Sequence, residues 1–487
     1  MASASPSPTA VRKATPRHTE PMAVLPYDAA SAIWRAASLP EASLASLGLV
    51  GHEPALPSSF AVCTAAQASL GVAALAAIEI GKLRNGVAQT VSIDMREAAI
   101  ECCGHFTIDG RAPVLWDALA GLYACGPEGS GGFVRLHTNF AHHRDGVLHL
   151  LGLSAGAGVT RSDVASALGA WTAEAFEAAA AEAGLVVVAL RNFEAWDRHP
   201  QQSAVAALPP VEISRIGEAP PLAWPALAKT DRPLEGLRVL DLTRILAGPV
   251  AGRTLAAYGA DVMLVNAPHL PNIEAIADTS RGKRSALADL RDDADRAAFI
   301  EAIEGAHVLL QGYRPGALAS LGFGPCDLAR MRPGIVCVSL SAYGRLGPWA
   351  ARRGFDSLVQ TATGFNDAEA AAAGQALPRA LPMQILDLAT GFLLAFGTQA
   401  ALLRQRAQGG SWQVQLSLAR TAVWLRELGR VAGGFAAAPA DFEAQMEISD
   451  SGFGRLAALR HAARFSATPA RYARPSSPPG TDPLAWT

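Results

Sequence analysis

The chain has 487 residues, half of them apolar and 17% charged, with a formal net charge of −2. That length spans two to four domains or one large composite, and the apolar share supplies a large buried core. The near-neutral balance, with no basic stripe interleaved with aromatics, excludes a nucleic-acid-binding protein.

In chain order, residues 1–22 are rich in Ser, Pro and Thr and carry no acid before Glu20. They lack the apolar core of a secretory signal and read as a disordered tail, with a transit peptide as the other reading. A first block covers 23–218. Its pattern predicts a helix over 60–83 and a strand over 89–95. The helix is apolar but holds Gln67 and Glu79, which favours burial over a membrane span. His137, His142 and His143 have no carboxylate or Cys to complete a ligand set, so no metal is expected. The run 163–184 predicts one Ala-rich amphipathic helix, followed by a strand at 185–190. Six cysteines without C-x-x-C spacing read as reduced packing residues, which places the protein in the cytoplasm.

A Pro-rich linker spans 219–233. The third block, 234–434, opens as a doubly wound α/β unit. Leu237–Leu242 is a strand, and Ala247-Gly-Pro249 is a turn whose proline suits a first helical turn. The helix ends at Gly259. Strands follow at 261–265, 307–310 and 335–339, with a helix over 294–303. Strands alternating with helices imply a mostly parallel, Rossmann-like sheet, with a smaller α+β domain from the first block. Ligands of such sheets lie beyond the carboxyl ends of the strands, so the turn after Asp241 is a candidate site. No G-x-G-x-x-G appears, so neither a nicotinamide nor a flavin is expected. Residues 435–487 read as mostly disordered, with Pro and Ser concentrated after 466.

Asp387 is a lone carboxylate at the mouth of an apolar run with no other charge before Arg404. A helix starting there turns its positive dipole end toward the acid, which suits an N-cap or a nucleophile. The segment also has a faint copy. Setting Gly86 against Gly409 aligns two helix–turn–strand units and places Thr64 opposite Asp387.

An ordered series of motifs runs from Leu234 to about Arg420. It includes Asp241-Leu-Thr-Arg-Ile-Leu-Ala-Gly-Pro249, Arg281-Gly-Lys-Arg-Ser285, Gly312-Tyr-Arg-Pro-Gly316, Arg353-Gly-Phe-Asp356 and Leu386-Asp-Leu-Ala-Thr-Gly391. The series resembles the class III CoA-transferases, the CaiB/BaiF family. The resemblance implies that Asp387 is the nucleophile, attacking an acyl-CoA thioester to form an anhydride and then an aspartyl-CoA thioester. It places Ile245, Leu246 and Ala247 against CoA and gives Lys283 and Arg284 to its phosphates. Tyr313 and Arg314 match an adenine-side loop, and Arg353, Phe355 and Asp356 another CoA-lining segment. Asp356 also reads as a structural carboxylate paired with Arg352 or Arg353. Gly129, Gly131 and Gly132 resemble a glycine loop shielding the site. CoA enters as substrate, no permanent cofactor is implied, and the family forms dimers.

The first block resembles the family's later half and small domain, so the halves stand in rearranged or truncated-tandem order. Asn266 and Ser320 depart from the family pattern where Glu and a basic residue are usual, which bears on CoA affinity. Phe355 replaces the His of the family's racemases and cannot move a proton. A catalytically silent CoA-binding paralogue or partner subunit is the reading from a different class.

Overall fold

The apolar runs of the third block build one large sheet, seen in a computed structural model that describes residues 23–154, 156 and 158–486. The expected N-terminal tail, 1–22, lies outside the described residues.

The first block holds α1 (Pro26–Ala36), β1 (Leu47–Val50), α2 (Val62–Asn85), β2 (Val91–Asp94), α3 (Met95–Glu101) and β3 (Phe106–Ile108). Next come β4 (Gly121–Ala124), β5 (Phe133–Leu136), α4 (Ala141–Leu150), α5 (Arg161–Leu168), α6 (Ala173–Glu182), β6 (Val187–Ala189), α7 (Phe193–Asp197), α8 (Pro200–Ala206) and β7 (Glu212–Gly217). The third block runs β8 (Arg238–Leu242), α9 (Ala247–Ala257), β9 (Asp261–Asn266), α10 (Ile276–Thr279), β10 (Arg284–Leu287), α11 (Asp293–Glu304), β11 (Val308–Gln311), α12 (Pro325–Met331) and β12 (Val336–Ser341). It closes with α13 (Asp356–Ala362), α14 (Phe365–Ala372), α15 (Ile385–Gln408), β13 (Ser411–Ser417) and α16 (Leu418–Glu427). Three strands follow, β14 (Met446–Ser451), β15 (Gly454–Leu459) and β16 (Arg464–Phe465).

The large sheet has the order β10-β9-β8-β11-β12-β13-β7, parallel except for β7. Succession leaves β8 in one direction toward β10 and in the other toward β13. The order therefore reverses between β8 and β11, where doubly wound sheets open a crevice. The antiparallel edge strand β7 comes from the first block, so that block ends inside the large sheet rather than at the linker.

The helix α15 crosses from β12 toward β13 and is buried on nearly every side, as an apolar helix must be. It packs on α2, and Gln399 Nε2 donates to Ala73 O across the pair (3.0 Å). The repeat legible in the sequence is thus real in three dimensions. Both helices have 24 residues, and both end at a glycine with positive φ, Gly86 at 74° and Gly409 at 66°. Each then runs into a strand and a capped helix, with Asp94 accepting from Glu97 N and Ser417 from Arg420 N. These two helices are long and apolar enough to cross a membrane, yet 94% and 100% of their apolar windows are buried in this core.

A smaller sheet, β4-β5-β6, packs with α4, α5 and α6 around Val134, Leu136, Val164 and Phe176. The single helix expected over 163–184 is broken here. α5 ends at Leu168, and Thr172 accepts a hydrogen bond from Ala175 N to start α6, an N-cap that the Ala-rich periodicity hid.

The C-terminal residues are also corrected. Instead of disorder, β14 and β15 pair as a hairpin and extend to β3, while β16 joins β1 and β2. Asp482 Oδ2 accepts from Ser285 N (2.9 Å), and Trp486 Nε1 donates to Ala302 O (2.7 Å). Pro and Ser composition suggested an unpacked chain, but these backbone and indole partners lie on the large domain, remote in sequence.

Candidate active site

Asp387 is the third residue of α15. Gln384 holds the N-cap position and makes no side-chain cap bond. The capping reading of Asp387 therefore does not describe the fold. The carboxylate is 5% exposed and accepts no hydrogen bond among the described residues. Its backbone N–H instead donates to Asp356 Oδ2 (2.9 Å), and Gln360 Nε2 donates to Asp356 Oδ1 (2.5 Å). Gln360 Oε1 in turn accepts from Leu381 N (3.0 Å), which fixes the chain entering α15. Asp356, fully buried at the start of α13, thus acts as a helix-terminus acceptor supplied from another segment.

Two carboxylates in one dry site cannot both ionise freely. Burial pushes Asp356 up to about 6, opposed by the N–H donors and by Arg135. Burial, and then the charge of Asp356, hold Asp387 well above the usual carboxylate range. The two titrate as a pair, and Asp356 is the better solvated by donors.

The turn after β8 meets the same helix. A Cβ on Gly391, one turn along from Asp387, would stand 2.7 Å from Ala247 O. Ile245 has φ of 77°, a left-handed conformation that costs a β-branched residue on the order of 1–3 kcal/mol. Ile245 and Thr243 wall a small recess with Asn266, whose buried amide has neither oxygen nor nitrogen hydrogen-bonded.

Around this point the structure gathers cations. Arg314 is close enough to Arg353 to lower its pKa after burial does, and Arg353 acts likewise on His142 and His143. Arg244, which the sequence reading missed, lies 5.7 Å over the Phe140 ring and donates to Pro271 O. None of Arg244, Arg314 and Arg353 has a carboxylate within ion-pair distance among the described residues. They come from the ends of β8, β11 and β12, with the two histidines from α4. A cavity of about 190 Å³ lies beyond Tyr313 and Arg314, lined also by Gln311, Ser339 and Arg420. Asp387 is not in its walls, so the cavity and the carboxylate pair are separate features.

Three expectations are corrected. Lys283 is not available to phosphate. Its Nζ is fully buried, donating to Asp241 Oδ2 (2.8 Å) and Pro249 O (2.9 Å), and burial lowers its pKa. This strut ties β8 to the first turn of α9, and a Cβ on Gly252 would clash with it. Arg284 is also turned inward, bonded to Asp261 Oδ2 (2.8 Å) and Ala485 O (3.1 Å). Asp356 pairs with neither neighbouring arginine: Arg352 faces Glu177 (3.5 Å), and Arg353 donates to Gly184 O (3.4 Å).

The glycine loop is the hairpin between β4 and β5. A Cβ on Gly131 would stand 2.9 Å from Cys125 C and Trp171 O, so the loop is clasped within the small unit. Gly129 and Gly132 have φ of 79° and 84°. The strand after the loop is what reaches the carboxylates. His137 stacks on Phe355 at 3.8 Å and 12°, and Arg135 acts on Asp356. Their signal was the two-residue spacing, which puts both on one strand face.

A mostly parallel sheet with a carboxylate pair at a helix start and arginines without carboxylate partners beyond its strand ends makes an α/β domain with a cationic mouth. Residues 234–431 match the description CoA-transferase family III. Among curated proteins, the chain is 34% identical to "Probable fatty acyl-CoA transferase Rv3272" of Mycobacterium tuberculosis, over 40% of this chain and 52% of that protein. It is 32% identical to succinate–glutarate CoA-transferase of Agrobacterium fabrum, over 38% of this chain and 51% of that protein. A crystal structure of the mycobacterial protein covers 41% of this chain and 57% of its own, with 34% identity and a TM-score of 0.38. The chain spans about half the length of the curated relatives it matches.

Proposed function

We propose that the protein is an acyl-CoA:carboxylate CoA-transferase with Asp387 as nucleophile. An Asp387 carboxylate oxygen attacks the thioester carbonyl, the C–S bond breaks and CoA leaves as thiolate. The thiolate then attacks the aspartyl carbonyl of the mixed anhydride, expelling the donor acid and leaving an aspartyl-CoA thioester. An acceptor carboxylate reverses both steps. No redox partner or permanent cofactor is required, and CoA is a substrate.

The observation that carries this reading is the placement of Asp387. It is the one carboxylate of the pair with no donor on its oxygens, and it stands at the positive end of a 24-residue helix. Arg244, Arg314 and Arg353 supply unpaired charge for CoA phosphates, and the orphan Asn266 amide offers a donor and an acceptor beside Ile245. The six unpaired cysteines suit the cytoplasm, and a homodimer is the assembly to test first.

A second reading, a silent CoA-binding paralogue, rests on the inward-turned Lys283 and Arg284 and on the half-length match. Intact-protein mass spectrometry with a panel of acyl-CoAs separates the two. A CoA or acyl adduct, removed by hydroxylamine and absent from Asp387→Ala, supports the enzyme. CoA binding without any adduct favours the silent protein.

A further inference from the structure

We infer that the groove on the sheet face over β11, β12 and β13 is a second binding site, separate from the carboxylate pair, for a small anionic polyol. Such a ligand carries several hydroxyls and one phosphate or carboxylate. The inference does not depend on the proposed function.

The argument starts from strand register. A parallel sheet covered by helices on both faces is apolar on both. Beside α11 this holds, where Leu240, Met263 and Val265 share a core with Phe299 and Ile303. Farther along the same face it fails. Gln311 pairs with Ser339, Ser339 with Gln415, and Gln415 with Glu212. These side chains form one polar row across four neighbouring strands, about 4.8 Å from one to the next. The row behind it is Leu309, Cys337 and Gln413. β11, β12 and β13 are interior strands, so an open sheet edge does not account for polar residues there. Local rules are broken in this way where a site needs it.

Both rows line the cavity of about 190 Å³, whose walls include Arg314 but neither Arg244 nor Arg353. Much of its hydrogen-bonding capacity is unspent. Gln311 Oε1 accepts from Tyr313 N (2.8 Å), which leaves its Nε2 to donate. Ser339, Gln413 and Gln415 are half-buried, and their side chains make no hydrogen bond among the described residues. Glu212 is spent, because both its oxygens accept from Arg345 Nε (3.1 Å each). Arg420, also in the wall, is 7% exposed and donates from Nε to Leu208 O (2.7 Å). Its Nη1 is shielded from solvent with no hydrogen bond, 3.6 Å from Glu427 Oε2. Leaving a guanidinium N–H dry and unbonded is costly, so an acceptor is missing there. An amide, a hydroxyl and an amide at strand spacing match successive hydroxyls, and Arg420 matches the anion. Leu309 and Phe323 give the carbon skeleton an apolar wall. A neutral sugar leaves Arg420 unmatched and a bare phosphate leaves the row unmatched, so the site discriminates against both.

The test is calorimetric titration of glucose 6-phosphate, gluconate, glucose and inorganic phosphate into the full chain, Gln415→Leu and Arg420→Met, with and without saturating CoA. Glucose 6-phosphate or gluconate is expected to bind wild type at least tenfold more tightly than glucose or phosphate, and the tighter of the two identifies the anion. Gln415→Leu should weaken that ligand about tenfold while leaving CoA affinity within about twofold. Arg420→Met should erase the preference over glucose. Gln415→Leu, at a half-buried strand position, keeps the test open if Arg420→Met fails to fold. No binding of either anionic polyol at millimolar concentration overturns the inference. So does equal affinity for phosphate and glucose 6-phosphate, which would leave a simple anion site. Displacement of the polyol by CoA also overturns it, because the groove would then belong to the cationic mouth. Polyol binding without any Asp387 adduct refutes the transferase reading and keeps the second site. An adduct without polyol binding does the reverse.

Discussion

Replacing Asp387, the proposed nucleophile, is expected to stabilise the fold while abolishing chemistry. In the pair, Asp356 rises from 3.8 to about 6. A shift of one unit corresponds to about 1.4 kcal/mol, so the shift at this residue alone represents about 3 kcal/mol of unfavourable ionisation. The sign follows from the raised values. The pair's contribution to stability is fully present only below the ordinary Asp value of 3.8, where both acids become protonated folded or unfolded. It is lost as pH rises through 6, because the unfolded chain ionises first. Asp387→Asn removes the acid whose ionisation burial and then the charge of Asp356 oppose, and leaves Asp356 to its donors. The variant should gain about 1–3 kcal/mol at pH 7.5 and almost nothing at pH 4. Paired thermal melts of wild type and variant at the two pH values read the difference, and the rest of the chain's titration cancels between them. A variant that melts below wild type at pH 7.5, by the same margin at pH 4, would refute the reasoning and make Asp387 a structural residue.

Lys283→Met leaves Asp241 fully buried without its cation and should cost about 3–5 kcal/mol. Denaturant melts check it, and a variant of unchanged stability with weakened CoA binding would return Lys283 to the phosphate role. Arg314→Ala and Arg353→Ala should each weaken CoA binding about tenfold, an effect that shrinks as salt rises, because both charges lie at a solvent-open mouth. Titrations at low and high salt measure this, and salt-independent losses would point to packing instead. Gly131→Ala places a methyl against backbone on two sides and should cost about 1–3 kcal/mol, confined to the small unit. Hydrogen exchange of β4 and β5 against β8 locates the loss, and exchange rising evenly across the protein would contradict it.

Much of the large domain was legible because its signals are local. The strand at Leu237–Leu242, the Pro249 helix start and the Gly259 stop are each set by a few adjacent residues, and all appear close to where they were read. The α2 and α15 repeat was legible as well, since both terminal glycines and both following strands are written in the chain. The broken helix at Gly169–Thr172 was missed because alanine hides an N-cap within an unbroken helical composition. The ordered C-terminus was missed because Pro and Ser report on local preference, whereas its partners, Ser285 and Ala302, lie far away in sequence.

The site divides along the same line. By itself the sequence singled out Asp387, from its isolation in an apolar run, and a candidate turn at the end of β8, while the family resemblance pointed to the loop after β11. Charge alone gave Lys283 and Arg284 the same promise as Arg314 and Arg353. Only the tertiary structure separates them: burial and a partner neutralise the first two, while the mouth leaves the others unpaired. It alone brings Arg135 and His137 to Phe355 and Asp356, across some two hundred residues of chain. A cation's role is set by what stands within a few ångströms of it, and that distance is a property of packing.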